Sequence, residues 1–182
     1  MPDSNRFFIL TGGPGSGKTS LLAALRAAGL QTMPEAGRAI IQDQVSIGGN
    51  ALPWGDRAAF AELMLSWELR SYREAADLSG PVLFDRGVPD VLGYLTLCGL
   101  PVPGHIRQAA LLRRYNSRVF IAPPWPEIFT ADAERKQDMA EAVATFHALA
   151  QTYDALGYEL LTLPRVSIAD RAAFVREVVG CG

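Results

Sequence analysis

The chain has 182 residues, of which 17 are basic, 19 are acidic and 49% are apolar. This length suits one domain with a sizeable core, and the near balance of charge argues against disorder or a nucleic-acid-binding surface. No apolar run approaches the roughly 20 residues that a membrane span needs, and the N-terminus lacks a signal-type pattern. We therefore expect one domain over 1–182, located in the cytoplasm, with no membrane or nucleic-acid partner.

The first predicted strand leads directly into a glycine-rich loop. Residues 7–10 form an apolar run, and residues 12–19 read GGPGSGKT, which fits the phosphate-binding pattern GxxxxGK(S/T). Glycines adopt positive φ and carry no Cβ, so several backbone N–H groups can approach one polyphosphate. Leucines at helical spacing follow until Gly29. We predict a strand, a loop that binds a nucleoside triphosphate, and a helix; a glycine-rich surface turn is the alternative.

The phosphate-binding pattern predicts which residues of this loop bind ATP and Mg²⁺. Lys18 is expected to reach the β- and γ-phosphates of ATP, and the hydroxyl of Thr19 to bind Mg²⁺. The helix that begins there points its positive N-terminus at the phosphates. The predicted ATP-binding residues are Gly12, Gly13, Pro14, Gly15, Ser16, Gly17, Lys18, Thr19 and Ser20.

The rest of the chain alternates between predicted strands and helices. Apolar runs predict further strands at 30–34, 82–84, 118–122 and 158–163. Helical periodicity predicts helices that begin near 35 and run over 56–77, 90–97, 104–115 and 138–156, with a last one capped by Ser167 and Asp170. In the second of these, Phe60, Leu63, Met64 and Trp67 are expected to share one face. The alternation predicts an α/β P-loop NTPase fold: a doubly wound, mostly parallel, five-stranded sheet with helices on both faces.

Charged residues follow the second predicted strand, at the edge of the sheet where ligands bind in such folds. Glu35 and Arg38 could orient a polar second substrate through a carboxylate and a guanidinium. The alternative is an exposed helix start with an i,i+3 ion pair. We expect residues 35–78 to form a helical region on the side of the phosphate acceptor. Weaker candidates for the same pocket are Trp54, Asp56, Arg57 and Asp90.

A second acidic position ends the strand at 82–84. Asp85 could hold Mg²⁺, directly or through water, or accept a proton from an attacking hydroxyl; the alternative is a helix cap or a turn residue. Arg86 could bridge the phosphates of donor and acceptor, or be an ordinary solvated arginine. Both residues are candidates for the catalytic set together with Lys18.

The segment 123–137 is predicted to be lid-like, because it carries three prolines and several charges. Arg135 and Lys136 at its end could deliver positive charge to the transferring phosphoryl group, or be ordinary surface charges. Trp125 could stack on a base or anchor the loop. The cysteines and histidines lack the spacing of a redox or zinc site, and we expect them to be structural.

Four segments together resemble one family: the loop 12–19, the sequence EAGR at 35–38, the turn DRG at 85–87 and the stretch 123–137. With these, the chain resembles the NadR-like AAA-type P-loop ATPases, which group with small nucleoside and nucleotide kinases. The resemblance implies a kinase-like parallel sheet with the Asp85 strand beside the first strand, Mg-ATP as phosphate donor, and a lid around Arg135. It does not imply one acceptor, although members of the family include a ribosylnicotinamide kinase domain.

Two functions follow from these observations. The first is a small-molecule kinase that transfers the γ-phosphate of ATP to a nucleoside-like or nucleotide-like acceptor, with Lys18, Asp85, Arg86 and Arg135 as catalytic residues. The second is an ATP-dependent switch that hydrolyses ATP slowly, responds to a protein partner and has no small-molecule acceptor. A GTPase is disfavoured, because the sequence has no NKxD-type guanine signal.

Overall fold

The computed structural model describes residues 4–129 and 138–180. The described strands are β1 Phe7–Gly12, β2 Gln31–Met33, β3 Val82–Asp85, β4 Arg118–Ala122 and β5 Glu159–Thr162. The described α-helices are α1 Lys18–Ala27, α2 Ala36–Ile47, α3 Arg57–Ala76, α4 Val88–Leu97, α5 Gly104–Leu112, α6 Met139–Ala155 and α7 Ile168–Val179. Short 3₁₀ turns lie at Ser4–Arg6 and Pro126–Ile128.

The five strands form one sheet in the order β2-β3-β1-β4-β5, and every neighbouring pair is parallel. All six residues of β1 are buried, as expected for a central strand that is covered on both faces. The predicted doubly wound sheet is therefore confirmed, and it is parallel throughout. The strand that carries Asp85 lies beside β1, as the family resemblance implied.

Helices cover the two faces of the sheet with separate apolar cores. On one face, Phe7, Ile9 and Phe84 pack with residues of α3, α4, α5 and α6. On the other face, Leu10 and Phe120 pack with residues of α1 and α7. A third cluster joins α2 to the start of α3. Because successive side chains of a strand point to opposite faces, β1 contributes to both main cores.

The helix starts follow from local capping chemistry. The side chain of Asp56 accepts a hydrogen bond from the Ala59 N–H at the start of α3, and Ser167 accepts one from Asp170 at the start of α7. The capping predicted for Ser167 is confirmed. Helix α4 begins two residues earlier than predicted, because Pro89 fits the first turn of a helix.

The four apolar residues predicted to share one face of α3 differ in how far they are exposed. Phe60 is buried, but the side chain of Leu63 is 38% exposed. The buried face instead runs through Leu65, Glu68 and Tyr72, because α3 packs between α2 and α4. No described helix is both long enough and apolar enough to cross a membrane.

Candidate functional site

Backbone pairing brings the acidic end of β3 to the phosphate-binding loop. In the parallel register of β1 and β3, Leu10 lies opposite Asp85. The N–H of Arg86 then donates to the Leu10 carbonyl at 3.0 Å. The loop leaves β1 two residues beyond this point. The sheet itself therefore places Asp85 and Arg86 beside the loop, at the carboxyl edge where ligands bind in open α/β folds.

A cavity of about 530 Å³ lies at this edge, which we call the donor cavity. Its floor is the loop and the first turn of α1, and its walls come from the ends of β2, β3, β4 and β5. The lining residues are Pro14, Gly15, Ser16, Gly17, Lys18, Thr19, Ser20, Glu35, Arg38, Asp85, Arg86, Trp125, Ile128, Val166, Ser167, Ile168 and Arg171. The structure thus brings seven of the nine predicted loop residues, those at 14–20, together with Glu35, Arg38, Asp85 and Arg86, whereas Gly12 and Gly13 do not line the cavity.

The loop has the backbone conformation that its glycines permit. Gly17 has φ 77° at the N-cap of α1, in the left-handed region that residues with a side chain rarely adopt. Gly12 has φ 134°, and a Cβ there would lie 2.5 Å from the Ala122 carbonyl oxygen. A side chain at either position would strain the loop.

Lys18 is folded into the loop. Its side chain is 8% exposed, and its ammonium donates to the carbonyls of Gly12 at 3.0 Å and Gly13 at 2.7 Å. Ser16 Oγ also donates to the Gly13 carbonyl, at 2.8 Å. The ammonium charge is therefore held against the loop and borders the donor cavity, where it can interact with phosphate oxygens.

Asp85 is partly buried, and its Oδ1 is buried without a hydrogen-bond partner. Burial, and then the nearby carboxylate of Glu35, raise the pKa of Asp85 to about 6, although the cations of Lys18 and Arg86 oppose the shift. The role of helix cap is excluded, because the N-cap of α4 is Gly87. An orphaned carboxylate oxygen in a phosphate-binding cavity fits a Mg²⁺ ligand, and the cavity also contains Thr19.

A dedicated metal cage is absent, since no cluster of three or more His, Cys, Asp or Glu able to hold a metal occurs among residues 4–129 and 138–180. Mg²⁺ is usually bound through one or two protein oxygens together with substrate phosphates and water. The pair Thr19 and Asp85 has that composition, so the residues present fit a Mg²⁺ ion that accompanies a nucleotide.

Arg86 forms two ion pairs at the centre of the site. Its Nε donates to Glu35 Oε1 at 3.1 Å and its Nη1 to Asp90 Oδ1 at 3.2 Å. These carboxylates raise the pKa of Arg86 despite its burial. Its backbone has φ 71°, a conformation that costs a non-glycine residue about 1–3 kcal/mol. The interpretation of Arg86 as a solvated arginine is therefore wrong.

Asp90 connects this ion-pair cluster to the fold. Its carboxylate accepts hydrogen bonds from Thr11 Oγ1, Tyr153 O–H and the Gly87 N–H, in addition to Arg86. These partners come from β1, from α6 and from the turn before α4. Asp90 is thus a buried anchor that fixes the position of Arg86.

A second cavity, of about 470 Å³, adjoins the first, and we call it the acceptor cavity. Its walls include α2, α3 and α4, so the predicted region 35–78 does border a pocket. Aromatic residues in the wall are Trp54, Phe60 and Tyr94; polar ones include Arg57, Glu68, Asp90, Glu141 and Thr145. The two cavities share Pro14, Glu35 and Arg86 as lining residues.

The weaker sequence candidates fall in different places. Trp54 and Arg57 line the acceptor cavity, whereas Asp56 caps α3. Trp125 lines the donor cavity. Arg135 and Lys136 lie outside the described residues, so their roles stay predictions.

Sequence reasoning missed two buried charged residues. Glu68, on α3, is 4% exposed, and Arg171, on α7, is 1% exposed. Burial, and then the charge of Asp90, raise the pKa of Glu68 well above its usual value. Each sits among apolar residues on the buried face of its helix. That position was the available signal, since charged side chains are almost never fully buried without a reason.

The model of a protein family described as an AAA domain matches residues 7–171 of the chain. The chain belongs to this family. No curated protein matches the chain in sequence. The family match and the structural similarity to NadR both support the resemblance to NadR-like P-loop proteins.

Solved structures similar to this AAA-domain chain include two kinases and NadR. Deoxyadenosine kinase from M. mycoides with bound dATP has TM-score 0.67 and 10% identity, over 96% of this chain and 98% of that one. NadR in complex with NR has TM-score 0.72 and 18% identity, over 97% of this chain but only 51% of that one. Thymidylate kinase from Ehrlichia chaffeensis has TM-score 0.61 and 16% identity, over 97% and 99%. These likenesses establish the P-loop NTPase fold in its nucleotide-kinase form.

Proposed function

We propose that the protein is a small-molecule kinase that transfers the γ-phosphate of Mg-ATP to a nucleoside-like or nucleotide-like acceptor. The observation that carries this proposal is the pair of adjoining cavities, which meet at Pro14, Glu35 and Arg86. A phosphoryl transfer between two bound molecules needs two sites with a common boundary. An ATP-dependent switch needs only the first cavity.

The donor cavity has the groups that a nucleoside triphosphate requires. The loop N–H groups and Lys18 would hold the β- and γ-phosphates, and the N-terminus of α1 would face them. Trp125, Ile128 and Val166 supply apolar surface for a base. A Mg²⁺ ion held by Thr19 and Asp85 would neutralise charge on the phosphates.

The acceptor cavity combines aromatic surface with polar groups, as expected of a site for a nucleoside. Phe60 and Tyr94 offer ring faces or edges to a base, and Glu35 lies where the cavities meet, in reach of both ligands. The solved neighbours that carry nucleosides or nucleotides, deoxyadenosine kinase and NadR, support an acceptor of this chemistry.

The transfer step needs charge stabilisation and a proton acceptor. Arg86 borders both cavities and would interact with the phosphoryl group between them, with Arg135 as the predicted second cation. With a pKa of about 6, Asp85 is mostly ionised at neutral pH, which both Mg²⁺ binding and proton acceptance require.

The test is transfer of labelled γ-phosphate from Mg-ATP to a panel of deoxynucleosides, nucleoside monophosphates and ribosylnicotinamide. We expect one acceptor class to gain label, and Lys18→Ala to lower the rate at least about 100-fold while circular dichroism shows an intact fold. Arg26→Ala is the matched control, because Arg26 is an exposed cation of the same helix that donates to Thr32 Oγ1.

Two results would contradict the proposal. Undiminished transfer by Lys18→Ala would remove the loop from the mechanism. Hydrolysis of Mg-ATP without label in any acceptor would instead support the switch, and the search would turn to a protein partner.

A further inference from the structure

Arg171 reaches the phosphate-binding loop from the last helix. Its Nη1 donates to the Ser16 carbonyl at 3.2 Å, across 155 positions of sequence. A Cβ built on Gly17 would lie 2.9 Å from the same nitrogen. The guanidinium therefore contacts the final turn of the loop, where α1 begins, and the residue also borders the donor cavity.

The charge of Arg171 has no anionic partner in the part of the chain that the structure describes. Its Nε is buried without a hydrogen bond, and its remaining contact is the ring of Trp125, 5.6 Å from Cζ. Burial alone lowers the pKa of Arg171, with no compensating carboxylate. Desolvation of a cation that has no anionic partner opposes folding, and other interactions of the fold must offset it.

The hydrogen bond to Ser16 also orients a peptide group. Every described peptide bond is trans, and a trans peptide directs its C=O and N–H to opposite sides. When the Ser16 carbonyl points to Arg171, the Gly17 N–H must point away from it. Ser16 and Gly17 both line the donor cavity, so the peptide group that Arg171 fixes belongs to the wall that a bound polyphosphate would meet.

We propose that Arg171 is a positioning residue for the phosphate donor: it holds the Ser16–Gly17 peptide with its N–H toward the cavity, and its buried charge is neutralised when a polyphosphate binds. The inference rests on the proposed function only in that the donor carries a polyphosphate. It assigns to α7 a direct part in donor affinity.

The experiment compares Arg171→Met, Arg171→Lys and the native chain in binding Mg-ATP and inorganic tripolyphosphate by calorimetry, and in thermal midpoint without ligand. We expect Arg171→Met to bind both ligands at least tenfold more weakly, while its unliganded midpoint stays equal or rises because an uncompensated charge is gone. Arg171→Lys, which keeps the charge without the planar fork, should fall between the two. Arg176→Met is the control: it removes a cation from the same helix and does not line the described donor cavity.

Native affinity of Arg171→Met for both ligands would overturn the proposal. A lower midpoint of unliganded Arg171→Met would also overturn it, since Arg171 would then be a net support of the unliganded fold. Should Arg171→Met fail to fold, native affinity in Arg171→Lys for both ligands would be the overturning result. These measurements use no acceptor, so a native chain that binds ATP but phosphorylates nothing refutes the kinase and leaves this inference standing.

Discussion

At the scale of single residues, four carboxylates at the site interact with one guanidinium, that of Arg86. Arg86 pairs with Glu35 and Asp90, and Asp85 and Glu68 lie close enough to influence the same group of charges. The pKa of Asp85 is raised to about 6, and burial raises the pKa of Glu68 well above its ordinary range. Glu68 therefore keeps its proton to a higher pH than an exposed glutamate does.

The raised pKa of Glu68 makes the stability of the chain dependent on pH. Since the pKa of Glu68 is higher in the folded state, its contribution is fully present below its unfolded pKa of about 4.5 and is lost as pH rises through the folded pKa. Glu68→Gln should therefore raise the free energy of unfolding by roughly 1–3 kcal/mol at pH 8 and change it little at pH 4. Urea denaturation at both pH values measures this difference.

Glu62→Gln is the control for this prediction, because Glu62 lies on the same helix but is half exposed and contacts His105. An equal effect of the two substitutions, or destabilisation by Glu68→Gln at pH 8, would contradict a raised pKa of Glu68.

At the scale of the elements, helix α6 contacts both the loop and the acceptor cavity. A Cβ on Gly13 would lie 2.5 Å from the Ala142 carbonyl oxygen, so the loop and the backbone of α6 touch. Glu141, Thr145 and Leu149 of the same helix line the acceptor cavity. A displacement of α6 would therefore alter both sites together.

Gly13→Ala tests this contact. The methyl group meets backbone that cannot rotate away, so we expect a loss of about 1–3 kcal/mol in unfolding free energy and weaker binding of Mg-ATP. Gly104→Ala is the matched substitution, since a Cβ there meets nothing within 4 Å, and it should be neutral or slightly stabilising. Denaturation and calorimetry of both variants check the prediction; native stability in Gly13→Ala would contradict the close approach.

The elements also mark how far sequence reasoning reached. The predicted strands match the described ones to within two residues, because each is a short apolar run bounded by glycine, proline or charged residues. The strand ends then place Glu35 and Asp85 at one edge, which a parallel sheet dictates. Arg171 and Glu68 were missed because their burial depends on how α7 and α3 pack, and helical periodicity does not reveal which charge lies beneath a loop 155 positions away.

Across the whole molecule, the two cavities differ in charge. The described lining of the donor cavity has four cationic residues, Lys18, Arg38, Arg86 and Arg171, and two acidic ones, Glu35 and Asp85. The acceptor cavity has more acidic than cationic residues even when the proton-retaining Glu68 is left out: Glu35, Asp90 and Glu141 against Arg57 and Arg86. We infer that the charge of the donor cavity suits a polyphosphate better than the charge of the acceptor cavity does.

We therefore expect a nucleoside to bind the acceptor cavity more tightly than its monophosphate, by about tenfold for one unfavourable charge at close range. Calorimetry in the presence of a non-hydrolysable ATP analogue measures both affinities. The difference should shrink at 1 M salt, because screening weakens the repulsion. Tighter binding of the monophosphate would refute the charge argument.

The pairing of β1 with β3 makes the spacing between the loop and Asp85 independent of the shape of the acceptor cavity. Main-chain hydrogen bonds, including that from the Arg86 N–H to the Leu10 carbonyl, set the spacing between the loop and Asp85 whatever side chains surround them. The acceptor cavity, by contrast, is shaped largely by the side chains of α2, α3 and α4. We expect descendants of such a chain to change the proposed acceptor through substitutions on these helices, while the proposed transfer chemistry stays the same.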